Sequence, residues 1–207
     1  MSLVNYAARE IIAKIVYYGP GRSGKTTNLQ YIHAGVADAR RGPIVSLATE
    51  GDRTLFFDYL PIELGAISGF RTRIQLYTVP GQVYYDSTRR LVLQGADGVV
   101  FVADSRSARR EDNIESFRNL QVNLLAQGVD PRSIPICLQY NKRDLSDAVP
   151  AQELDGVLNF RGLPAFEASA LEGKGVFETL QKITRLVIAR LAGSFDEKAE
   201  GAGGVRA

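Results

Sequence analysis

Nothing constrains this chain more than the run Gly19-Pro20-Gly21-Arg22-Ser23-Gly24-Lys25-Thr26. The apolar segment Ile11 to Tyr18 before it predicts a buried strand, and Thr27 to Val36 after it predicts the start of a helix. A strand, a G-x-x-x-x-G-K-[ST] turn and a helix in that order form a phosphate cradle, not a chance glycine-rich turn. The glycines keep side chains out of the way, so consecutive N–H groups turn toward phosphate oxygens. The helix that follows adds the positive end of its dipole. Lys25 is expected to reach the outer two phosphates, and the Thr26 hydroxyl to ligate Mg2+. Gly19, Pro20, Gly21, Arg22, Ser23, Gly24 and Thr27 complete the predicted cradle.

Behind the cradle, strands and helices alternate. Arg40-Arg41-Gly42-Pro43 ends the first helix, and Ile44 to Ala48 predicts a short strand. Thr49 to Gly69 reads as irregular, with Leu55, Phe56, Phe57, Tyr59, Leu60, Ile62 and Leu64 crowded around Pro61. These either fill the core or form a surface that changes with the bound nucleotide. Arg71 to Tyr77 alternates polar and apolar residues, which predicts a half-exposed strand near a sheet edge. Asp86 to Gln94 reads as helix, and Gly98 to Ala103 as a strand buried on both faces. Glu111 to Gln127 predicts a long amphipathic helix with Ile114, Phe117, Leu120, Val122 and Leu125 inward. Ile134 to Tyr140 reads as a second buried strand, Gln152 to Leu158 as helix, and Ala165 to Ala168 as a last short strand. Val176 to Leu191 predicts a final amphipathic helix. This order gives the α/β class: one domain, a mostly parallel sheet, and helices on both faces. The domain spans residues 1–192, and the Gly-, Ala- and charge-rich residues 193–207 read as a disordered tail.

Ligands of such sheets sit beyond the carboxyl ends of the strands. The loop after Ile134 to Tyr140 reads Asn141-Lys142-Arg143-Asp144. The Asp144 carboxylate can accept two hydrogen bonds from the N1–H and N2–H2 edge of guanine, a paired donor edge that adenine lacks. Lys142 can lie over the purine ring, and Asn141 can tie loops together. After the last strand, Ser169 and Ala170 are placed to offer a backbone N–H to guanine O6. Together with the cradle these loops imply GTP and GDP as ligands.

Composition excludes several other classes. A formal charge of +2 over 207 residues argues for neither nucleic acid nor a charged membrane surface as partner. No apolar run approaches a membrane span, and neither terminus carries a myristoylation or prenylation signal, so no intrinsic membrane anchor is expected. The lone Cys137 sits in a buried run and reads as a small hydrophobe in a reducing cytoplasm. His33 is given no role, and Arg106 to Asp112 reads as a solvated loop and helix entry.

From Ile11 to Leu191 the chain resembles the Ras-like small GTPases. Thr78-Val79-Pro80-Gly81-Gln82, together with Glu50 to Asp58, resembles the bacterial MglA polarity GTPases. Most small GTPases have Asp where Thr78 stands; the MglA group has Thr there. The resemblance implies a small GTPase domain over residues 1–192 and a switch that marks a cell pole when GTP-bound and controls motility. It also implies an activating partner of the Roadblock fold, of MglB type, bound at the switch regions; effectors are not identified. Gln82, after Gly81, is the residue expected to orient the attacking water, and a side chain on Gly21 would intrude on that space. Thr54 is expected to sense Mg2+ and the γ-phosphate. Arg53 is either a solvated partner of Asp52 or, as the resemblance implies, a catalytic arginine supplied in cis. A neutral Thr78 contributes no charge to the metal shell, so Asp52 or Asp58 is a candidate for compensating it. The competing reading is a GTPase-like scaffold with negligible turnover.

Overall fold

The computed structural model describes residues 3–5, 7–47, 57–67, 69–81 and 85–202. At its centre is the strand that the apolar run predicts, β2 (Glu10–Tyr18), preceded by the short β1 (Leu3–Asn5). The chain continues through α1 (Lys25–Gly35), β3 (Val45–Leu47), β4 (Phe57–Ile67) and β5 (Phe70–Thr78). Then follow α2 (Asp86–Leu93), β6 (Gly98–Asp104), α3 (Arg110–Leu125), β7 (Ile136–Asn141), α4 (Ala151–Leu158), β8 (Ala165–Glu167) and α5 (Val176–Ala202). The sheet runs β3-β4-β5-β2-β6-β7-β8, with β1 paired to β2. Pairing is parallel from β5 across to β8 and antiparallel at β3, β4 and β1.

Both faces of the sheet are covered. On one, Leu29 and Ile32 of α1 and Val176, Leu180, Ile183 and Val187 of α5 pack on Ile15, Tyr17 and Leu76. On the other, Leu93 of α2, Phe117, Leu120 and Leu124 of α3, and Leu154 of α4 pack on Val16, Tyr18 and Phe101. Every residue of β6 and β7 is buried, as expected of strands sandwiched between helix layers. Cys137 lies among them, and burial pushes its thiol up to about 12, which leaves it inert at neutral pH.

Four expectations are corrected. The segment read as irregular contains an eleven-residue strand, β4. Its Pro61 fits because the proline turns its missing donor away from β5. The Pro61 carbonyl, on the same side, accepts from Gly42 N–H at 3.0 Å, beyond the end of β3. Second, β5 lies between β4 and β2, not near an edge. Its alternation arises because Ile74 and Leu76 face α1 and α5 while Arg73, Gln75 and Tyr77 face a side that the helices cover only in part. Third, α3 buries Phe117, Leu120 and Leu124, whereas Val122 and Leu125 are 55% and 61% exposed. The i, i+3, i+7 row sets the buried face, and Val122 and Leu125 lie off it. Fourth, α5 extends to Ala202 instead of giving way to an unstructured tail at residue 193. Ala, Glu and Lys in that stretch are strong helix formers and carry the turns onward.

Candidate nucleotide site

The parallel strands all deliver their carboxyl ends to one rim of the sheet. β2 leads into the glycine-rich turn, β5 into Val79-Pro80-Gly81, β6 into Ser105 to Arg109, β7 into Lys142 to Asp144, and β8 into Ser169-Ala170. A cleft of about 510 Å3 opens there, lined by Arg22, Lys25, Thr26, Phe57, Asp58 and Thr78 among others.

The glycine-rich turn joins β2 to α1. Gly24 caps α1 in the left-handed region at φ 101°, and a Cβ there would meet Asn141 Nδ2 at 2.2 Å, so only glycine fits. Lys25 is buried, and its Nζ donates to the carbonyls of Gly19 and Pro20 at 3.0 and 2.7 Å. Burial, and after it the Arg89 charge, lowers its pKa to about 7, with Asp58 pulling the other way. An incoming phosphate would restore the charged form, since it supplies the negative partner that the buried ammonium lacks.

Asp58, one of the two carboxylates raised by the sequence, stands beside Thr78. Register places Ser46 opposite Asp58 on β3 and Tyr59 opposite Tyr77 on β5, which lines up Ser46, Asp58 and Thr78 across three strands. The Asp58 carboxylate accepts from Thr26 Oγ1 at 2.7 Å, Thr78 Oγ1 at 2.9 Å and Ser46 Oγ at 2.8 Å. Thr78 Oγ1 in turn accepts from the Asp58 N–H at 2.8 Å. A carboxylate on the neighbouring strand thus stands beside position 78 and bonds the Thr26 hydroxyl expected to ligate Mg2+. This all-oxygen donor set fits a hard cation that takes one carboxylate, a hydroxyl, substrate phosphates and water. Asp58→Asn should raise the Mg2+ concentration needed for half-maximal retention of bound GDP by about tenfold or more. The check is GDP release rate across a Mg2+ titration; an unchanged midpoint would remove Asp58 from the metal shell.

The catalytic side of the site is only partly in view. Gly81 lies so close to the phosphate loop that a Cβ on it would meet Gly21 Cα at 2.2 Å. The two glycines that the sequence singles out thus touch each other. Gln82, Arg53, Thr54 and Asp52 lie outside the described residues.

At the base-recognition side, Asn141 ties loops together as expected. Its Nδ2 donates to Ser23 O at 2.7 Å, and its Oδ1 accepts from Ala170 N–H at 2.8 Å. The Ala170 N–H expected to face guanine O6 is thus engaged by Asn141 in this structure. Lys142, at φ 70°, extends its Nζ to Asp104 Oδ2 at 2.7 Å, which fixes the stem expected to lie on the purine. Asp144 is exposed at the loop tip, and Ser169 is buried below it.

Some residues of this site escaped the sequence reading. The Asp104 side chain is fully buried and receives Arg106 as well as Lys142. Burial pushes its carboxyl up, but the hydrogen bonds from Arg106 and Lys142 outweigh burial and hold it below the usual carboxylate range. Arg109 donates to Gly21 O at 2.9 Å and pairs with Asp112 at 2.6 Å. Arg106 and Arg109, read as part of a solvated loop and helix entry, turn inward to Asp104 and to the Gly21 carbonyl, while α3 does begin at Arg110. A continuous charge run gives no sign of which members turn inward.

Comparison with known proteins agrees with this geometry. The Ras family model matches residues 49–189. The chain is 56% identical over 191 residues to the mutual gliding-motility protein MglA of Myxococcus xanthus, covering 92% of this chain and 98% of that protein. It is 24% identical over 187 residues to the Ypt/Rab-type GTPase ypt7 of Pyricularia oryzae, covering 88% and 85%. With human ADP-ribosylation factor-like protein 4D the identity is 25% over 153 residues, covering 71% and 72%.

Proposed function

The chain belongs to the Ras family, as a GTPase of its MglA branch, and from that premise we propose that it is a polarity and motility switch governed by a Roadblock-fold activator. The observation that carries this reading is the 56% identity, over nearly the whole of both chains, to a gliding-motility protein. In this reading the cradle from Gly19 to Thr27 holds the phosphates, with Lys25 supplying positive charge at the outer two. Asn141, Lys142, Asp144, Ser169 and Ala170 hold the base. Thr26, Asp58 and Thr54 hold Mg2+, which when bound offsets charge on the phosphates. Gln82 orients the water, and Arg53 stabilises the charge that accumulates on the transferring phosphoryl group.

A scaffold with negligible turnover is the weaker reading. Its main support is the neutral Thr78, and the Asp58 carboxylate 2.9 Å from that hydroxyl speaks against it. The deciding experiment is single-turnover GTP hydrolysis with and without a Roadblock-type partner. Strong stimulation is expected, and no turnover under either condition would favour the scaffold. Among the described residues no helix is long and apolar enough to cross a membrane. Independently of that, recruitment to a pole is proposed to run through protein partners engaged in the GTP-bound state.

The partner surface is proposed to include the aromatic side of β4. Alternation along that strand sends Leu60 and Ile62 into the core and leaves Phe57 and Tyr59 half-buried on the other side. Their rings lie 5.9 and 4.9 Å from that of Tyr77, beside the cleft. Leu55 and Phe56, from the same apolar cluster, lie outside the described residues. Large aromatics at the centre of an interface commonly contribute about 2 kcal/mol or more each. Phe57→Ala and Tyr59→Ala should therefore each weaken binding of a Roadblock-type partner by at least roughly tenfold. Titration of partner into GTP-loaded protein is the check; unchanged affinity in both folded variants would place the interface elsewhere.

A further inference from the structure

Arg89 is the bulkiest of the fully buried side chains among the described residues, at 1% exposure, and no role described so far uses it. It sits on α2 and points back at the chain leaving β5. Its Nε donates to the Pro80 carbonyl at 2.9 Å, and its Nη2 donates to the Gly81 carbonyl at 2.5 Å. On the outer side Nη1 donates to Asn119 Oδ1 at 2.8 Å, and the guanidinium carbon lies 5.3 Å from the centre of the Tyr18 ring. Asn119 is itself fixed from α2, since its Nδ2 donates to Asp86 Oδ1 at 2.8 Å. Asn123 adds a second tie to Asp86 at 2.9 Å and one to the Tyr18 hydroxyl at 3.1 Å.

A buried guanidinium is costly unless its donors are satisfied, and an apolar side chain would pack α2 on the sheet without that cost. What the arginine does that an apolar residue cannot is grip two successive carbonyls with a rigid fork. Those carbonyls belong to the peptide units on either side of Gly81, and the second leads directly into Gln82. Gly81 meets the phosphate loop at Gly21 on its other side. The backbone is therefore clamped between Arg89 and the phosphate cradle at the point where the water-orienting residue begins.

We propose that Arg89 is a positioning residue for GTP hydrolysis, clamping the Pro80 and Gly81 carbonyls and so fixing the backbone from which Gln82 follows. The proposal rests on the reading of Gln82 given above. It separates Arg89 from a mere anchor of α2, because an anchor needs only bulk and charge, whereas the clamp needs the fork. Lysine keeps the charge and most of the length but offers a point donor that cannot span both carbonyls.

The test uses the full chain and four proteins: wild type, Arg89→Lys, Gln82→Ala and the double variant. GDP affinity and thermal unfolding of the GDP-loaded protein are measured beside single-turnover GTP hydrolysis. Misplacement of a catalytic group by about an ångström can cost as much as a hundredfold in rate. Arg89→Lys is therefore expected to slow hydrolysis by about tenfold or more, with GDP affinity within about threefold of wild type. Added to Gln82→Ala it should slow hydrolysis little further, because both act through one group. A wild-type rate in Arg89→Lys overturns the proposal, and so does a loss in the double variant equal to the product of the two single losses. If Gln82→Ala hydrolyses GTP at the wild-type rate, the reading of Gln82 falls and takes the clamp with it. If Gln82→Ala is slow and Arg89→Lys is fast, only the clamp falls. Should Arg89→Lys fail to load GDP, Asn119→Ala keeps the guanidinium but removes its outer support. Slowed hydrolysis with intact GDP affinity in that variant upholds the clamp, and a wild-type rate overturns it.

Discussion

Asp144→Asn is expected to lower affinity for GDP by about four orders of magnitude and to create affinity for xanthosine diphosphate. The wild-type carboxylate only accepts hydrogen bonds, so it matches the N1–H and N2–H2 pair of guanine. An amide presents one acceptor and one donor, which leaves a guanine N–H facing a donor and matches the C2 carbonyl of xanthine. The loop should survive the change. Asp144 is exposed at its tip, while the loop is held by the bond from Asn141 to Ser23 and by the ion pair of Arg143 with Glu167 at 2.8 Å. Displacement of a fluorescent guanine nucleotide by GDP, ADP and xanthosine diphosphate is the measurement. In wild type, GDP should compete and ADP should not. Equal competition by ADP and GDP would sink the guanine assignment, and an unaltered profile in Asp144→Asn would move base recognition to another residue.

Removing Arg53 or Gln82 is expected to reduce partner-stimulated hydrolysis by roughly three orders of magnitude or more, while GTP binding stays nearly unchanged. Charge builds on the phosphoryl oxygens in the transition state, and a guanidinium there acts on rate without acting on ground-state affinity. Arg53 is the residue immediately before Thr54, so a guanidinium stands one residue from the hydroxyl expected to sense the γ-phosphate. The activator would then contribute no catalytic side chain and would hold the segment in its productive arrangement. Basal turnover should be slow, because that arrangement is a minor state without the partner. The double variant Arg53→Ala with Gln82→Ala should be little worse than either single one, since both act on one transition state. Phosphate release at saturating partner, with nucleotide affinity measured separately, is the check. Full stimulation surviving in Arg53→Ala would show that the arginine comes from the partner or is not used.

Much of the site is written locally in the chain. The phosphate turn declares itself because its chemistry needs glycine, lysine and a hydroxyl at fixed spacing between a strand and a helix, and all of these are neighbours in sequence. The guanine loop declares itself by the same kind of short-range spacing. Hydrophobic period and turn residues gave most of the strand and helix order, and with it the parallel sheet that puts these loops on one rim, but not β4. Period was less informative where a residue's surroundings decide its burial. On α3 it identified Phe117 and Leu120 but chose Val122 and Leu125 over Leu124.

What the sequence by itself determined about this protein is the type of site: a glycine-rich turn between a strand and a helix at Gly19 to Thr27, and an Asn-Lys-x-Asp loop at Asn141 to Asp144, the pattern expected of a guanine-nucleotide binder. Only the tertiary structure decided which groups complete and hold that site. Asp58 stands beside Thr78 because β4 runs antiparallel to β5 in a register that sets the two side by side. Arg109 reaches Gly21 from 88 residues away, and Asn141 reaches Ser23 from 118. Arg89 looks like any helical arginine until α2 is laid over the end of β5. Spacing along the chain encodes contacts within a turn or two of backbone. Contacts between strands and across helix layers depend on register and packing, which the whole core fixes together and no short stretch specifies.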